Sequence, residues 1–221
     1  MGLFFTYDLI KLIKKNAERD VHMKEIKNII FDMGRVLLKF DPYVSLNTYC
    51  DNKEDMDLLY KELFEGPEWI MGDEGKITNG QRYELVKERV PERLHRALKL
   101  IVENWVICME PLEGALEFYK YVKEKGYNTY VLSNACNRFY SYFPRYYDLD
   151  SFEGVVVSSD VKMIKPNPAI YEYILKTYNL NPEECLFIDD VEANVKAAEE
   201  AGIKGFIFKN NYEELKKVLD I

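Results

Sequence analysis

Asn28-Ile29-Ile30-Phe31-Asp32-Met33-Gly34-Arg35-Val36-Leu37 is the stretch on which the reading of this chain turns. Four residues of strand character end in a carboxylate, and Met33-Gly34 breaks the strand pattern immediately afterwards. Open parallel sheets bind their ligands beyond the carboxyl ends of their strands, so Asp32 has the address of a functional side chain. An Asp at this place can equally cap the loop that follows it. The rest of the sequence has to decide between the two.

Further β-type runs follow at residues 129–132, 155–157, 186–188 and 205–208. Helical patterns separate them. Residues 112–125 carry Leu112, Ala115, Leu116, Tyr119 and Val122 at helical spacing, with Gly126 just past the end. A second helix opens at Asn167-Pro168, and a third spans residues 191–201 before Gly202. This alternation predicts an α/β fold, a Rossmann-like open parallel sheet with helices on both faces.

Residues 43–109 differ, because they contain helical patterns in succession and no convincing strand. They read as an inserted helical cap. Thr78 and Gln81 have the spacing of a capping box, and another helix runs from Pro91 through Leu94, Leu98, Ile101 and Val102. The expected division is a core of residues 23–42 and 110–221, a helical cap at 43–109, and an N-terminal extension at 1–22. Phe5, Leu9, Leu12 and Ile13 would share one face of a helix in that extension, although Met23 is an equally good start.

Among 221 residues, 48% hydrophobic, there is ample material for a buried core. The balance of 30 Lys+Arg against 38 Asp+Glu gives a net charge of -8, which provides no general attraction to nucleic acid or to anionic lipid. An anionic ligand must be held by local groups instead. The apolar residues near the start are interrupted by Asp8 and Lys11 and read as neither signal peptide nor membrane span. Cys50, Cys108, Cys136 and Cys185 are widely spaced without a Cys-x-x-Cys pair, as expected of reduced thiols in a cytoplasmic protein.

Three later sites share the address of Asp32. Tyr130-Val131-Leu132 ends in Ser133-Asn134, a hydroxyl and an amide able to bind phosphoryl oxygens, or an ordinary turn. Lys165 lies between Ile164 and Pro166 in a loop stiffened by Pro166 and Pro168, where an ammonium can offset a carboxylate and a phosphate brought together. Leu186-Phe187-Ile188 ends in Asp189-Asp190, paired carboxylates whose repulsion a hard cation, most naturally magnesium, would relieve.

This constellation resembles the haloacid dehalogenase superfamily, whose four motifs match residues 31–37, 132–134, 165–166 and 188–190. The wording Phe-Asp-x-Gly-x-Val-Leu, with Phe40-Asp41-Pro42 after it, is similar to the subgroup with a helical cap between the first two motifs. The resemblance implies a magnesium-dependent phosphatase of small phosphorylated metabolites, sugar phosphates among them. Asp32 would attack phosphorus and form an aspartyl-phosphate that water then hydrolyses. Asp32, the Gly34 carbonyl and Asp190 would hold Mg2+, with Asp189 in a lesser role. Ser133 and Asn134 would hold phosphoryl oxygens, and Lys165 would stabilise charge in the transition state.

One departure from the pattern matters. Phosphatases of this superfamily mostly carry a second Asp two residues after the nucleophile as general acid and base, and Gly34 stands there. The leaving group is then unusually good, or a cap residue such as Glu65, Asp73 or Glu74 donates the proton, or catalysis is weak or absent; the first of these is the favoured expectation. The same gap argues against a phosphomutase. Arg35 either meets the substrate or pairs with a surface acid such as Glu74, and Lys162 faces solvent. Trp69, Arg82, Tyr83 and Trp105 are candidate substrate contacts from the cap, although aromatic side chains also build cap cores. The alternatives are a metal-independent haloacid dehalogenase and a non-catalytic phosphometabolite-binding protein.

Overall fold

The structure, a computed structural model, describes residues 25–219, so the expected helix within residues 1–22 lies outside the described part. β1 (Asn28–Phe31) leads into a short strand, β2 (Leu38–Phe40), whose antiparallel partner is β3 (Met109–Pro111). Between β2 and β3 run α1 (Tyr43–Tyr49), α2 (Lys53–Leu59), α3 (Pro67–Asp73), α4 (Asn79–Lys87) and α5 (His95–Asn104). This helical insertion has an apolar core of its own, built around Leu46, Leu59, Leu63, Val86, Leu98 and Ile101. The capping box at α4 is present: the Gln81 N–H donates to Thr78 Oγ1 at 3.2 Å, and the Thr78 N–H donates to Gln81 Oε1 at 2.9 Å.

After β3 the chain alternates α6 (Ala115–Glu124), β4 (Asn128–Ser133), α7 (Phe139–Tyr142), β5 (Gly154–Val157), α8 (Ser158–Val161), α9 (Pro168–Thr177), β6 (Cys185–Asp189), α10 (Glu192–Glu200), β7 (Lys204–Ile207) and α11 (Tyr212–Val218). The large sheet is parallel, in the order β5-β4-β1-β6-β7. Side chains alternate between its two faces with a period of two. Ile29, Phe31, Val131 and Ile188 pack with Phe118 and Val122 of α6 and Leu215 of α11. Ile30, Leu132 and Phe187 face the other way, onto Ile170 and Ile174 of α9 and Ala198 of α10. Helices therefore cover both faces, as the alternation of strand and helix predicts.

Two local differences have physical causes. The helix expected from Leu112 begins at Ala115, because the Leu112 N–H is committed to the Leu37 carbonyl at 3.1 Å and Gly114 then turns the chain at φ +80°. The β2–β3 stem is too short for its alternation to show in the sequence. The four cysteines form no disulfide, and Cys108, Cys136 and Cys185 are buried. Among the described residues, no helix is long and apolar enough to cross a membrane.

Candidate active site

Strand register assembles the site. Phe31 of β1 aligns with Val131 of β4 and with Ile188 of β6, so the residues that follow these positions emerge together at one sheet edge. The Asp32 N–H continues the ladder by donating to the Ile188 carbonyl at 2.8 Å. Beyond it the chain folds into a tight loop: Leu37 and Leu38 both donate to the Met33 carbonyl at 2.9 Å, and Arg35 sits at φ +57°. Three tyrosines fix this loop from the core. Tyr212 donates to the Val36 carbonyl at 2.6 Å, Tyr147 to the Leu37 carbonyl at 3.1 Å, and Tyr142 to Met33 Sδ at 3.2 Å.

The Lys165 ammonium lies 2.7 Å from Asp32 Oδ1 and 2.7 Å from Asp189 Oδ2, and its side chain is 1% exposed. Burial pulls the Lys165 pKa down, but the two carboxylates outweigh it and hold the group above its ordinary value, so the cation persists. Asn134 presents this lysine: its amide donates to the Lys165 carbonyl at 2.9 Å and accepts from the Lys165 N–H at 2.8 Å. The amide oxygen and one N–H of Asn134 are thus engaged with the Lys165 backbone, leaving one N–H for a ligand.

Asp189 is more central than its expected lesser role. Fully buried, it accepts from Lys165, from both-oxygen contacts with Asn194 Nδ2 at 3.1 and 3.0 Å, and from the Val191 N–H at 2.8 Å. Carboxylate oxygens of Asp32, Asp189 and Asp190 lie within 4.8 Å of one another. Burial, aided by Asp189 and Asp190 and opposed by Lys165, pushes Asp32 up to about 7. Burial and Asp189 likewise raise Asp190. Two of these carboxylates share one buried ammonium and the third lies beside them, and a hard cation with oxygen ligands fits such a donor set.

Arg35 reaches Asp190 Oδ2 at 3.4 Å, while Glu74 pairs with Lys76 at 2.8 Å. Of the two alternatives for Arg35, a substrate contact or a pair with an acid such as Glu74, the structure shows a pair with an acid, Asp190 in place of Glu74. Among the described residues, Ser133 Oγ is buried and has no hydrogen-bond partner. An unsatisfied buried hydroxyl is disfavoured by about 1–3 kcal/mol.

A cavity of about 110 Å³ separates this edge from the insertion. Met33, Gly34 and Ala135 form its floor, and Phe40, Trp69 and Trp105 form its walls. The Phe40 and Trp69 rings stack at 5.5 Å, and Trp105 meets Trp69 edge to face at 5.3 Å. Arg82, a candidate substrate contact, is instead buried behind this wall: it donates to the Glu68 and Trp69 carbonyls and lies 4.5 Å from the Trp69 ring centre. Tyr83 packs against the insertion core, so of the four candidates only the two tryptophans line the cavity.

Asp73, at the end of α3, also lines the cavity. It keeps some accessible surface there, yet dense surroundings make burial the dominant influence, raising its carboxyl to about 7 against the opposing effects of Arg82 and the Cys136 N–H. The insertion is fastened beside it by Ser158 Oγ donating to the Asp73 carbonyl at 2.5 Å and by Lys162 Nζ donating to the Gly75 carbonyl at 2.8 Å. Lys162 is exposed, as expected, but its ammonium makes this contact across to the insertion. A β-carbon at Gly75 would collide with Ser159 and Lys162, and its φ of +65° also favours glycine.

Residues 26–202 match the haloacid dehalogenase-like hydrolase family, and the chain belongs to it. The proteins it is similar to include the sesquiterpene phosphatase of Aspergillus oryzae, 26% identical over 81% of this chain and 88% of the relative. The phosphorylated carbohydrates phosphatase of Thermotoga maritima is 28% identical over 80% of this chain and 82% of its own length. Some relatives are much longer: the chain spans 18% of mouse acyl-CoA dehydrogenase family member 10, at 27% identity over 81% of this chain. Among solved structures, the magnesium complex of a HAD family enzyme from Bacteroides thetaiotaomicron superposes with a TM-score of 0.68 at 26% identity, covering 87% of this chain and 98% of the other. The chain is a hydrolase of this family, with phosphatases among its relatives.

Proposed function

We propose that the protein is a magnesium-dependent phosphatase of a small phosphorylated metabolite, working through an aspartyl-phosphate on Asp32. The observation that carries this reading is the shared edge: a carboxylate, an unpartnered hydroxyl and a carboxylate pair from the ends of β1, β4 and β6 meet there with a buried ammonium from the loop before α9. A magnesium ion held by Asp32, the Gly34 carbonyl and Asp190 would neutralise the anions that have to meet. The crystallised magnesium complex of the Bacteroides enzyme supports that choice of ion.

The side chains of this protein supply the rest. An oxygen of Asp32 attacks phosphorus as the bond to the ester oxygen breaks, while Ser133 donates to a phosphoryl oxygen. Lys165 stays charged beside both Asp32 and Asp189, so negative charge gathering at the edge is met by a fixed cation. Glu65 is exposed and Glu74 is paired with Lys76, whereas Asp73 lines the cavity above Gly34 with a carboxyl raised to about 7. Asp73 is therefore assigned as the donor that Gly34 cannot be. It gives its proton to the leaving oxygen, releasing an alcohol. Its carboxylate then takes a proton from water as the oxygen of that water attacks phosphorus, the bond to Asp32 breaks, and inorganic phosphate departs.

The insertion acts as a cap, with its tryptophans closing the cavity against water. Release of phosphate from p-nitrophenyl phosphate should require added magnesium and stop in excess chelator. Full activity in chelator would remove magnesium from the mechanism, and halide release from a 2-haloacid in chelator would replace this reading with carbon-centred dehalogenation.

A further inference from the structure

We propose, on the basis of that phosphatase reading, that the alcohol released from phosphate is compact and apolar, a short branched alkyl group rather than a polyol. The cavity into which a leaving group must project is about 110 Å³. An apolar cavity of about 150 Å³ holds benzene, so this space suits about four or five carbon-sized atoms. Its walls are the faces and edges of Phe40, Trp69 and Trp105, with Met33 and Met109 completing them.

The hydrogen-bonding capacity of the lining is small. Asn134 has committed its amide oxygen and one N–H to Lys165, and the Tyr142 hydroxyl points to the Met33 sulfur. What remains is the Asp73 carboxyl, the second amide N–H of Asn134 and the indole N–H of Trp105, which is buried and has no partner among the described residues. Those three groups can serve the bridging ester oxygen and two more polar atoms. A ribitol or hexose chain would bring four or more hydroxyls against rings and thioethers, and each unpaired one costs about 1–3 kcal/mol. A five-carbon alkyl group brings none. Arg82 keeps the selecting surface rigid, since it packs against the far face of Trp69 and binds the main-chain carbonyl of that residue.

The test compares primary alkyl phosphates, whose leaving oxygens have similar intrinsic reactivity, with magnesium present throughout. The kcat/KM for 3-methylbutyl phosphate should exceed those for ribitol 5-phosphate and glucose 6-phosphate by tenfold or more. In Trp69→Leu and Phe40→Leu that advantage should shrink, while hydrolysis of the polyol esters changes less. Both tryptophans of the chain line the cavity, so 3-methylbutylphosphonate should also quench intrinsic fluorescence at lower concentration than a polyol phosphonate. Equal or faster hydrolysis of the polyol esters, or equal quenching by the two phosphonates, overturns the inference and leaves the phosphatase reading standing. Magnesium-dependent release from none of the esters, p-nitrophenyl phosphate included, overturns both.

Discussion

Replacing Asp73 by Asn removes one proton and almost no volume, and it keeps an oxygen to accept the Cys136 N–H. If Asp73 protonates the leaving oxygen, the loss must depend on how much that oxygen needs a proton. General acid catalysis contributes about 100- to 10,000-fold, or about 2.7–5.4 kcal/mol of transition-state stabilisation. The whole of that should be lost for an alkyl phosphate, whose alkoxide is a poor leaving group. With p-nitrophenyl phosphate, which expels a stable anion, the loss in kcat/KM, which reports only formation of the aspartyl-phosphate, should stay below about tenfold, while kcat falls for both esters because the same carboxylate activates the water. The pH dependence gives a second readout. A carboxyl with a pKa of about 7 donates below that pH and is ionised above it, so kcat for the alkyl ester in the unaltered protein should fall as pH rises through 7. That descending limb should be missing from Asp73→Asn and from the p-nitrophenyl profile. Steady-state phosphate release from both esters between pH 5.5 and 8.5 is the assay, with the pH range chosen to bracket that pKa by about 1.5 on either side. An equal loss of kcat/KM on both esters would mean that Asp73 supports cap geometry rather than proton transfer to the leaving oxygen, and an unchanged rate on the alkyl ester would remove Asp73 from the chemistry.

Three further outcomes follow from the same geometry. A β-carbon built at Gly34 meets nothing nearer than Asp32 Oδ2 at 3.9 Å, so Gly34→Asp introduced into Asp73→Asn should restore alkyl phosphate turnover at least tenfold; no recovery would mean that position 34 does not reach the leaving oxygen. Ser133→Ala deletes an unpartnered buried hydroxyl, so urea unfolding should show stability unchanged or higher by up to about 1 kcal/mol, while phosphate binds roughly tenfold or more weakly; a clear loss of stability with unchanged binding contradicts the assignment. Lys165→Met strands Asp32 and Asp189, and breaking such a buried pair costs about 3–5 kcal/mol. Without the ammonium the folded-state pKa of Asp32 rises further above its unfolded value, so the variant should regain stability as pH falls and lose it as pH rises. A pH-independent loss would point to packing alone.

Much of this arrangement was legible in the sequence, for identifiable reasons. Strands buried on both faces are short apolar runs, and the residues ending them, Asp32, Ser133 and Asp189, are chemically unlike what precedes them. Parallel order then brings those ends to one edge without any detail of packing. What escaped depends on contacts between distant segments. The role of Asn134 follows from its two bonds to the backbone of Lys165, 31 residues away. Arg35 turned to Asp190 rather than Glu74 because a non-glycine residue adopted a left-handed conformation, which no local pattern signals. Choosing Asp73 from among Glu65, Asp73 and Glu74 required knowing which one ends its helix over the cavity. The abundance of tyrosine, opaque in the composition, is partly explained by the hydroxyls that tie Met33, Val36 and Leu37 to the core.

The account rests on a covalent bond between phosphorus and Asp32, and that bond can be trapped. Protein turning over a phosphate ester with magnesium, quenched in acid and reduced with borohydride, would carry homoserine wherever an aspartyl-phosphate had formed, and peptide mass spectrometry would locate it. The expected result is homoserine at position 32, absent from Asp32→Asn, which should also be inactive. Sustained phosphate release without homoserine at that position, or with Asn in place of Asp32, would contradict the account.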